Sequence, residues 1–188
     1  MGVVGTLLKN RRAGETHLAW NLPSLSGPQT LEVTSAAFAD GAAIPVESAG
    51  RRAGGLNLSP QLAWGTPPAG TSELLLVVED VDAPMGTPFV HCVALIAPDV
   101  AGLAPGALAA QGPGEGVRVL RSTMGRGYVG PEPIKGHGPH RYVFQVFALS
   151  APAVRDPAAA ANAKPRALLA AVDAPVLARG RLTGIYER

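Results

Sequence analysis

A few side chains, gathered in two short stretches, carry most of the chemistry this sequence offers. Asp80 and Asp82 close one apolar run, residues 74–78, and His91 sits inside the next, residues 90–96. The second stretch is Gly136-His137-Gly138-Pro139-His140-Arg141-Tyr142, which leads straight into an apolar run. Carboxylates and imidazoles at the mouth of an apolar sheet cost free energy unless they are paired or used. The expectation is that the two mouths meet as one pocket. If such a pocket takes an oxyanion, several donors must converge on its oxygens. His91 and His140 can each present a ring N–H, Tyr142 its O–H and Gly138 a backbone N–H unshielded by a side chain. Asp80 then has the task of accepting from an imidazole, fixing its tautomer and favouring its charged form. On that arrangement, anion affinity rises as pH falls through the histidine range.

Each residue also has a plainer reading. Asp80 and Asp82 suit the caps of a turn. His91 and Tyr142 suit a core, and Arg141 suits an ion pair with Asp82. His137 reads as a loop residue at the rim. His137 and His140 have the spacing of a metal pair, but on a Gly-Pro loop rather than a helix, so neither a metal nor another cofactor is expected.

The elements that must position these groups are strands. Residues 74–78 and 90–96 are of strand length and rich in branched side chains, with Pro84 and Pro88 stiffening the loop between them. Residues 142–149 are apolar on both alternating faces, so that strand belongs at the centre of a sheet. Leu62 and Trp64 can share one face of another strand. Residues 31–35, 117–120 and 182–186 read as shorter strands, with 44–47 pairing back against the first. A short amphipathic helix is expected over residues 3–12, then a Pro-punctuated arm over 15–30. Pro165 suits the first turn of a helix, and a further helical turn through 176–178 is expected to end at Gly180. Residues 98–116 read as a surface connection, and 125–133 as a Gly-Pro loop that brings backbone close to a ligand. The organisation expected is an N-terminal arm, 1–30, followed by one domain, 31–188.

Composition narrows the class. The chain has 188 residues, 47% of them apolar, with Gly and Pro well above average and a net charge of only +2. That mix suits strands joined by turns and excludes general disorder. Paired arginines occur at Arg11-Arg12 and Arg51-Arg52, but no basic stripe alternates with aromatics, so nucleic acid is not an expected partner. No apolar run is long enough to span a bilayer. The lone cysteine, Cys92, forbids an intrachain disulfide and favours a reducing cytoplasm. It reads as a core residue rather than a nucleophile paired with His91, because adjacent strand residues face opposite ways.

These stretches together resemble the phosphatidylethanolamine-binding protein family, in its bacterial Raf-kinase-inhibitor-like branch. The resemblance covers roughly residues 30–188. It rests on residues 57–64 with Pro68-Ala69-Gly70-Thr71, Asp80-Val81-Asp82-Ala83-Pro84, Phe89-Val90-His91, Gly127-Tyr128-Val129-Gly130-Pro131 and Gly138-Pro139-His140-Arg141-Tyr142. The acidic loop followed by the His-Arg-Tyr stretch is its specific part. Val81, Cys92 and Ile134 depart from residues common in the family. The resemblance implies a mainly β fold, an antiparallel sandwich of Greek-key type with a few peripheral helices, one near the C-terminus. It implies an anion pocket at one end, lined by Asp80, His91, His140 and Tyr142, with Asp82, Pro133 and Gly138 nearby. It also implies a cis bond at Ala83-Pro84 and the possibility of a homodimer.

Three functions follow as expectations. The first is a binding module for a phosphorylated or carboxylated small group that modulates a protein target such as a kinase or protease. The second is a hydrolase or phosphoesterase using the His/Asp pocket, though the sequence shows no nucleophile elbow and no P-loop. The third is membrane association through a lipid headgroup, at most peripheral without a basic amphipathic helix or two lipid anchors.

Overall fold

The structure is a computed structural model that describes residues 3–188. Its strands are β1 (Val33–Thr34), β2 (Leu62–Trp64), β3 (Glu73–Asp80), β4 (Phe89–Ile96), β5 (Gly102–Leu103), β6 (Val117–Val119), β7 (Arg121–Ser122), β8 (Gly125–Arg126), β9 (His140–Leu149) and β10 (Val176–Tyr186). The helices are α1 (Val3–Leu8), α2 (Pro157–Asn162) and α3 (Pro165–Ala170). A five-stranded antiparallel sheet runs β10-β9-β3-β4-β6, and a three-stranded sheet runs β1-β2-β5. The mainly β antiparallel sandwich implied by the sequence is what the chain forms.

The apolar runs explain the layering. On β3 and β9, Leu74, Leu76, Val78, Phe144 and Val146 face a core shared with Leu62, Trp64 and Leu103 of the smaller sheet. Leu75, Val77, Val143 and Phe147 face the other way, into a second core. That second face is covered by the N-terminal arm, through Leu18, Trp20 and Leu25, and by Leu168 and Leu169 of α3. Two apolar faces per strand therefore place β3 and β9 in the middle, as the alternation on residues 142–149 requires.

Several local expectations are corrected. The helical turn expected through 176–178 is the start of β10, which continues unbroken through Gly180. Glycine is needed there because the arm crosses the strand: a Cβ on Gly180 would lie 1.7 Å from the Leu31 carbonyl oxygen. The N-terminal helix stops at Leu8 rather than continuing to residue 12. The arm is not simply extended, since it makes 3-10 turns at Ala19–Asn21 and Pro23–Leu25 as it packs. The segment after Ile44 turns away, and Ala43 bridges Ile185 instead. No peptide bond among the described residues is cis, so Ala83-Pro84 departs from what the resemblance implied. No helix among the described residues is long and apolar enough to cross a membrane.

Candidate functional site

The site lies where β3, β4 and β9 end together. In register, Asp80 stands between Phe89 on one side and Tyr142 on the other. A bulge fixes His91. On β3 the ladder steps from Val78 to Glu79, while on β4 it steps from Cys92 to Val90, which leaves His91 as the extra residue. A bulge re-aims a side chain that alternation would send elsewhere. The His91 ring accordingly packs against Phe89 at 4.8 Å and edge-on to Tyr142 at 5.1 Å between centroids. Cys92 lies in the core between the sheets, where burial pushes its thiol well above the ordinary range. It is thus no nucleophile, though strict alternation is not the reason.

These residues border a cavity of about 370 Å3. Asp80, His91, Pro133, His140 and Tyr142 line it; Asp82 and Gly138 do not. Glu132 lines it as well, together with an apolar collar of Met85, Phe89, Met124 and Ile134. Met85, Met124 and Ile134 are exposed. None of the lining residues is Lys or Arg.

Hydrogen bonding assigns the roles. His91 Nδ1 donates to the Val129 carbonyl at 2.5 Å, so a neutral His91 carries its proton there and leaves Nε2 as an acceptor. Burial holds this imidazole below its usual pKa, against the opposing pull of Asp80 and the Val129 carbonyl. Asp80 Oδ1 accepts from the Asp82 backbone N–H at 2.8 Å, and Oδ2 lies 2.7 Å from His140 Nδ1. The carboxylate–imidazole contact expected from the sequence is therefore made by His140. The other His140 nitrogen, Nε2, lies 2.7 Å from Nδ1 of His137. Both nitrogens of His140 are thus engaged within the protein, and it has no free ring N–H for a ligand, contrary to expectation.

Tyr142 differs from its neighbours. It is 1% exposed, and its hydroxyl has no protein hydrogen bond of normal geometry among the described residues, only a weak interaction with the Asp80 carboxylate. Burial raises its phenol well above the ordinary range, and the Asp80 charge pushes the same way, so it remains an O–H donor.

Asp82 serves a separate purpose. Its oxygens accept from Arg141 N, Nε and Nη2 at 2.8, 2.9 and 3.0 Å, and Arg12 Nη1 lies 3.0 Å away. Burial alone would raise its pKa, but these bonds outweigh that and lower it. Gly138, at φ 95°, supplies the left-handed turn that carries the chain into His140. His137, expected at the rim, is only 2% exposed. The Gly-Pro turn brings its ring to 4.7 Å from that of His140, but its burial comes from the N-terminal segment, whose Leu8 and Arg11 carbonyls it meets. Glu132, Met85 and Met124 had no signal in the sequence, because loop closure alone brings them to the cavity. Among the described residues no group of His, Cys, Asp and Glu is arranged to hold a metal ion.

Comparison with known proteins places this geometry. The family model for phosphatidylethanolamine-binding protein matches residues 34–187. A UPF0098 protein of Aquifex aeolicus is 33% identical over 164 residues, 87% of this chain and 92% of its own. A Mycobacterium tuberculosis protein provisionally named lipoprotein LppC is 36% identical over 162 residues, 85% of this chain and 73% of its own. Among solved structures, Escherichia coli YbcL, described as a member of the mammalian PEBP family, superposes with a TM-score of 0.74 at 29% identity, covering 84% of this chain and 98% of that one. The Chlamydia trachomatis homologue CT736 gives 0.69 at 27% identity, covering 84% and 97%.

Proposed function

This chain belongs to the phosphatidylethanolamine-binding protein family, and from that premise we propose that it is a binding module whose cavity takes a small phosphorylated or carboxylated group. The observation that carries the reading is the Tyr142 hydroxyl: a buried donor with no well-formed protein hydrogen bond among the described residues, beside His91, at the wall of a formed cavity. A ligand oxygen accepts from Tyr142. A second accepts from His91 Nε2 once that nitrogen is protonated. An apolar portion of the ligand rests on Met85, Met124 and Ile134. The protein target proposed with this is a kinase or protease, the assembly a homodimer, the membrane contact at most peripheral and the compartment the cytoplasm.

The enzyme reading has less to stand on, since Cys92 is sealed in the core and both nitrogens of His140 are tied. Turnover of a generic phosphoester, abolished by His140→Ala, would replace the binding reading with it.

The test is calorimetric titration with phosphate and with sulfate, which keeps one charge state near neutrality. His91 is neutral when the pocket is free, and a bound anion raises its pKa. Affinity therefore rises as pH falls from the anion-bound value toward the lowered free value, and levels off below it. Binding of neither anion sinks the proposal. Binding that is flat with pH for sulfate removes His91 from the role of donor.

A further inference from the structure

His137 Nε2 faces the carbonyl oxygens of Leu8 at 2.8 Å and Arg11 at 3.2 Å. A carbonyl only accepts, so this nitrogen carries a proton. At the other side of the ring, Nδ1 lies 2.7 Å from His140 Nε2, and two bare lone pairs do not approach so closely, so a proton lies between them. A third lies in the 2.7 Å contact from His140 Nδ1 to Asp80 Oδ2. Two neutral imidazoles bring only two protons to these three contacts.

We infer that Asp80, His140 and His137 together hold one proton more than two neutral rings and a carboxylate would, and that His137 is the positioning residue that keeps it there. The row is then net neutral although it ends in a carboxyl group. Drawing the proton as an imidazolium on either ring, or as an acid on Asp80, leaves the count unchanged. This answers how a cavity lined by Asp80 admits an anion, and in that consequence it rests on the function proposed above. The carboxylate's charge is already offset inside the protein.

The inference ties the N-terminal segment to the pocket. Leu8 ends α1 and Arg11 follows it, so the row terminates on carbonyls that are present only while this segment is docked. Gly5 permits the docking: a Cβ there would lie 2.2 Å from the Lys135 carbonyl oxygen and 2.7 Å from the His137 nitrogen. Arg12 then reaches the Pro139 carbonyl at 2.9 Å, while Ala13 N and Gly14 N donate to Ala83 O and Val81 O.

The charged and titratable groups around the row come from every side. β3 and the loop after it contribute Asp80 and Asp82, and β9 contributes Arg141 and Tyr142. The bulge on β4 contributes His91, the cavity loop Glu132, and the N-terminal segment Arg11 and Arg12. Asp82 is offset by Arg12 and Arg141.

The count is read on the ligand-free protein by histidine ring 15N shifts together with the Asp80 carboxyl 13C shift at neutral pH. Three protons shared over the row are expected; two neutral rings beside an ionised Asp80 overturn the inference. In binding, His137→Leu is expected to lower sulfate affinity about tenfold, the lower end of what losing such an outer partner costs. His137→Asn, whose amide oxygen still accepts from His140, restores most of it. Gly5→Ala, which leaves the pocket residues in place, moves affinity the same way by less. Unchanged affinity in His137→Leu overturns the positioning role, and if that variant does not fold the wild-type proton count decides. Failure of the wild type to bind either anion sinks the proposed function and leaves the proton count standing.

Discussion

Glu79 and Asp80 are neighbours on β3, both buried, and they point to opposite faces of one sheet. Glu79 Oε2 accepts from Ala19 N at 2.7 Å and from Gln145 Nε2 at 2.8 Å, and Oε1 lies 2.6 Å from Arg166 Nη2. Gln145 in turn takes the Trp20 N–H at 2.7 Å. This network fastens the arm and α3 to the second face. Asp80 has a network of similar size, but its own carboxylate lines a cavity with His91 and Tyr142, whereas on the Glu79 side it is Arg166 and not the carboxylate that reaches a second one. A buried charge is therefore not the mark of a binding site. Nor is an unpartnered polar atom by itself, since Glu79 Oε1 and Arg166 Nε also lack a hydrogen bond; the mark is such a donor at a cavity wall beside an imidazole.

The sharpest way to break this comparison is at Arg166. Arg166→Ala leaves Glu79 buried without its cation, which is expected to cost about 3 kcal/mol at neutral pH, as breaking a buried pair does. Burial already raises the Glu79 pKa, outweighing Arg166 and the hydrogen bonds. A carboxyl whose folded pKa is raised favours the folded state at low pH and loses that contribution as pH rises through the folded value. The deficit of Arg166→Ala should thus shrink toward acid, as measured by urea unfolding near pH 4.5 and pH 7. Anion affinity should not change. A large loss of affinity would show that the two faces are one functional unit and would dissolve the distinction.

Tyr142→Phe probes the other face with the opposite signature. It removes a hydroxyl that has no well-formed protein hydrogen bond among the described residues, so stability should hold within about 1 kcal/mol or improve. Affinity for phosphate should fall about tenfold, on the order of 1.4 kcal/mol, near the lower edge of what a hydrogen bond to a charged group contributes. Loss of stability without loss of affinity would make Tyr142 a core residue, as its position on an apolar strand also allows.

How much of this was legible in the sequence depended on whether the cause was local. The runs at 74–78, 90–96 and 142–149 were readable because a strand buried on both faces must be apolar at every position. The meeting of Asp80 with His140 and Tyr142 followed from the resemblance, and the ladder supplies its cause, since Asp80 and Tyr142 are paired in register. What stayed hidden was long-range. His91 turns into the cavity through a bulge that only the pairing of β3 with β4 reveals. His137 is buried because α1 docks from the far end of the chain. Gly180 read as a helix stop, yet its role is to let the arm pass over β10. Leu18, Trp20 and Leu25 lie in a segment that read only as a Pro-punctuated arm, and it is the second face of the sheet that gives them a surface to cover.

Asp82 offers the finest cut, because it is buried like Glu79 and Asp80 but resembles neither. It sits 3% exposed at the side chain under a 43% exposed Arg141 and does not line the cavity that Asp80 borders. Its role is to pin Arg12 and Arg141 over the turn that carries His140. Arg141→Met should therefore cost only about 1 kcal/mol, since the guanidinium is half in water and Arg12 remains. The carboxyl's own shift is opposite in sign to that of Glu79, although both variants lose their deficit in acid. The folded-state pKa of Asp82 is lowered, so its stabilisation is complete above the unfolded value of 3.8 and disappears as pH falls through the folded one. The cost of Arg141→Met should accordingly vanish in acid along with it, with phosphate affinity at neutral pH changed less than in Tyr142→Phe. A deficit that persisted in acid would mean that Arg141 stabilises the turn by packing and not through Asp82. The three carboxylates of this strand end would then divide differently: one fastening the arm, one serving the pocket, and one whose charge does no measurable stabilising.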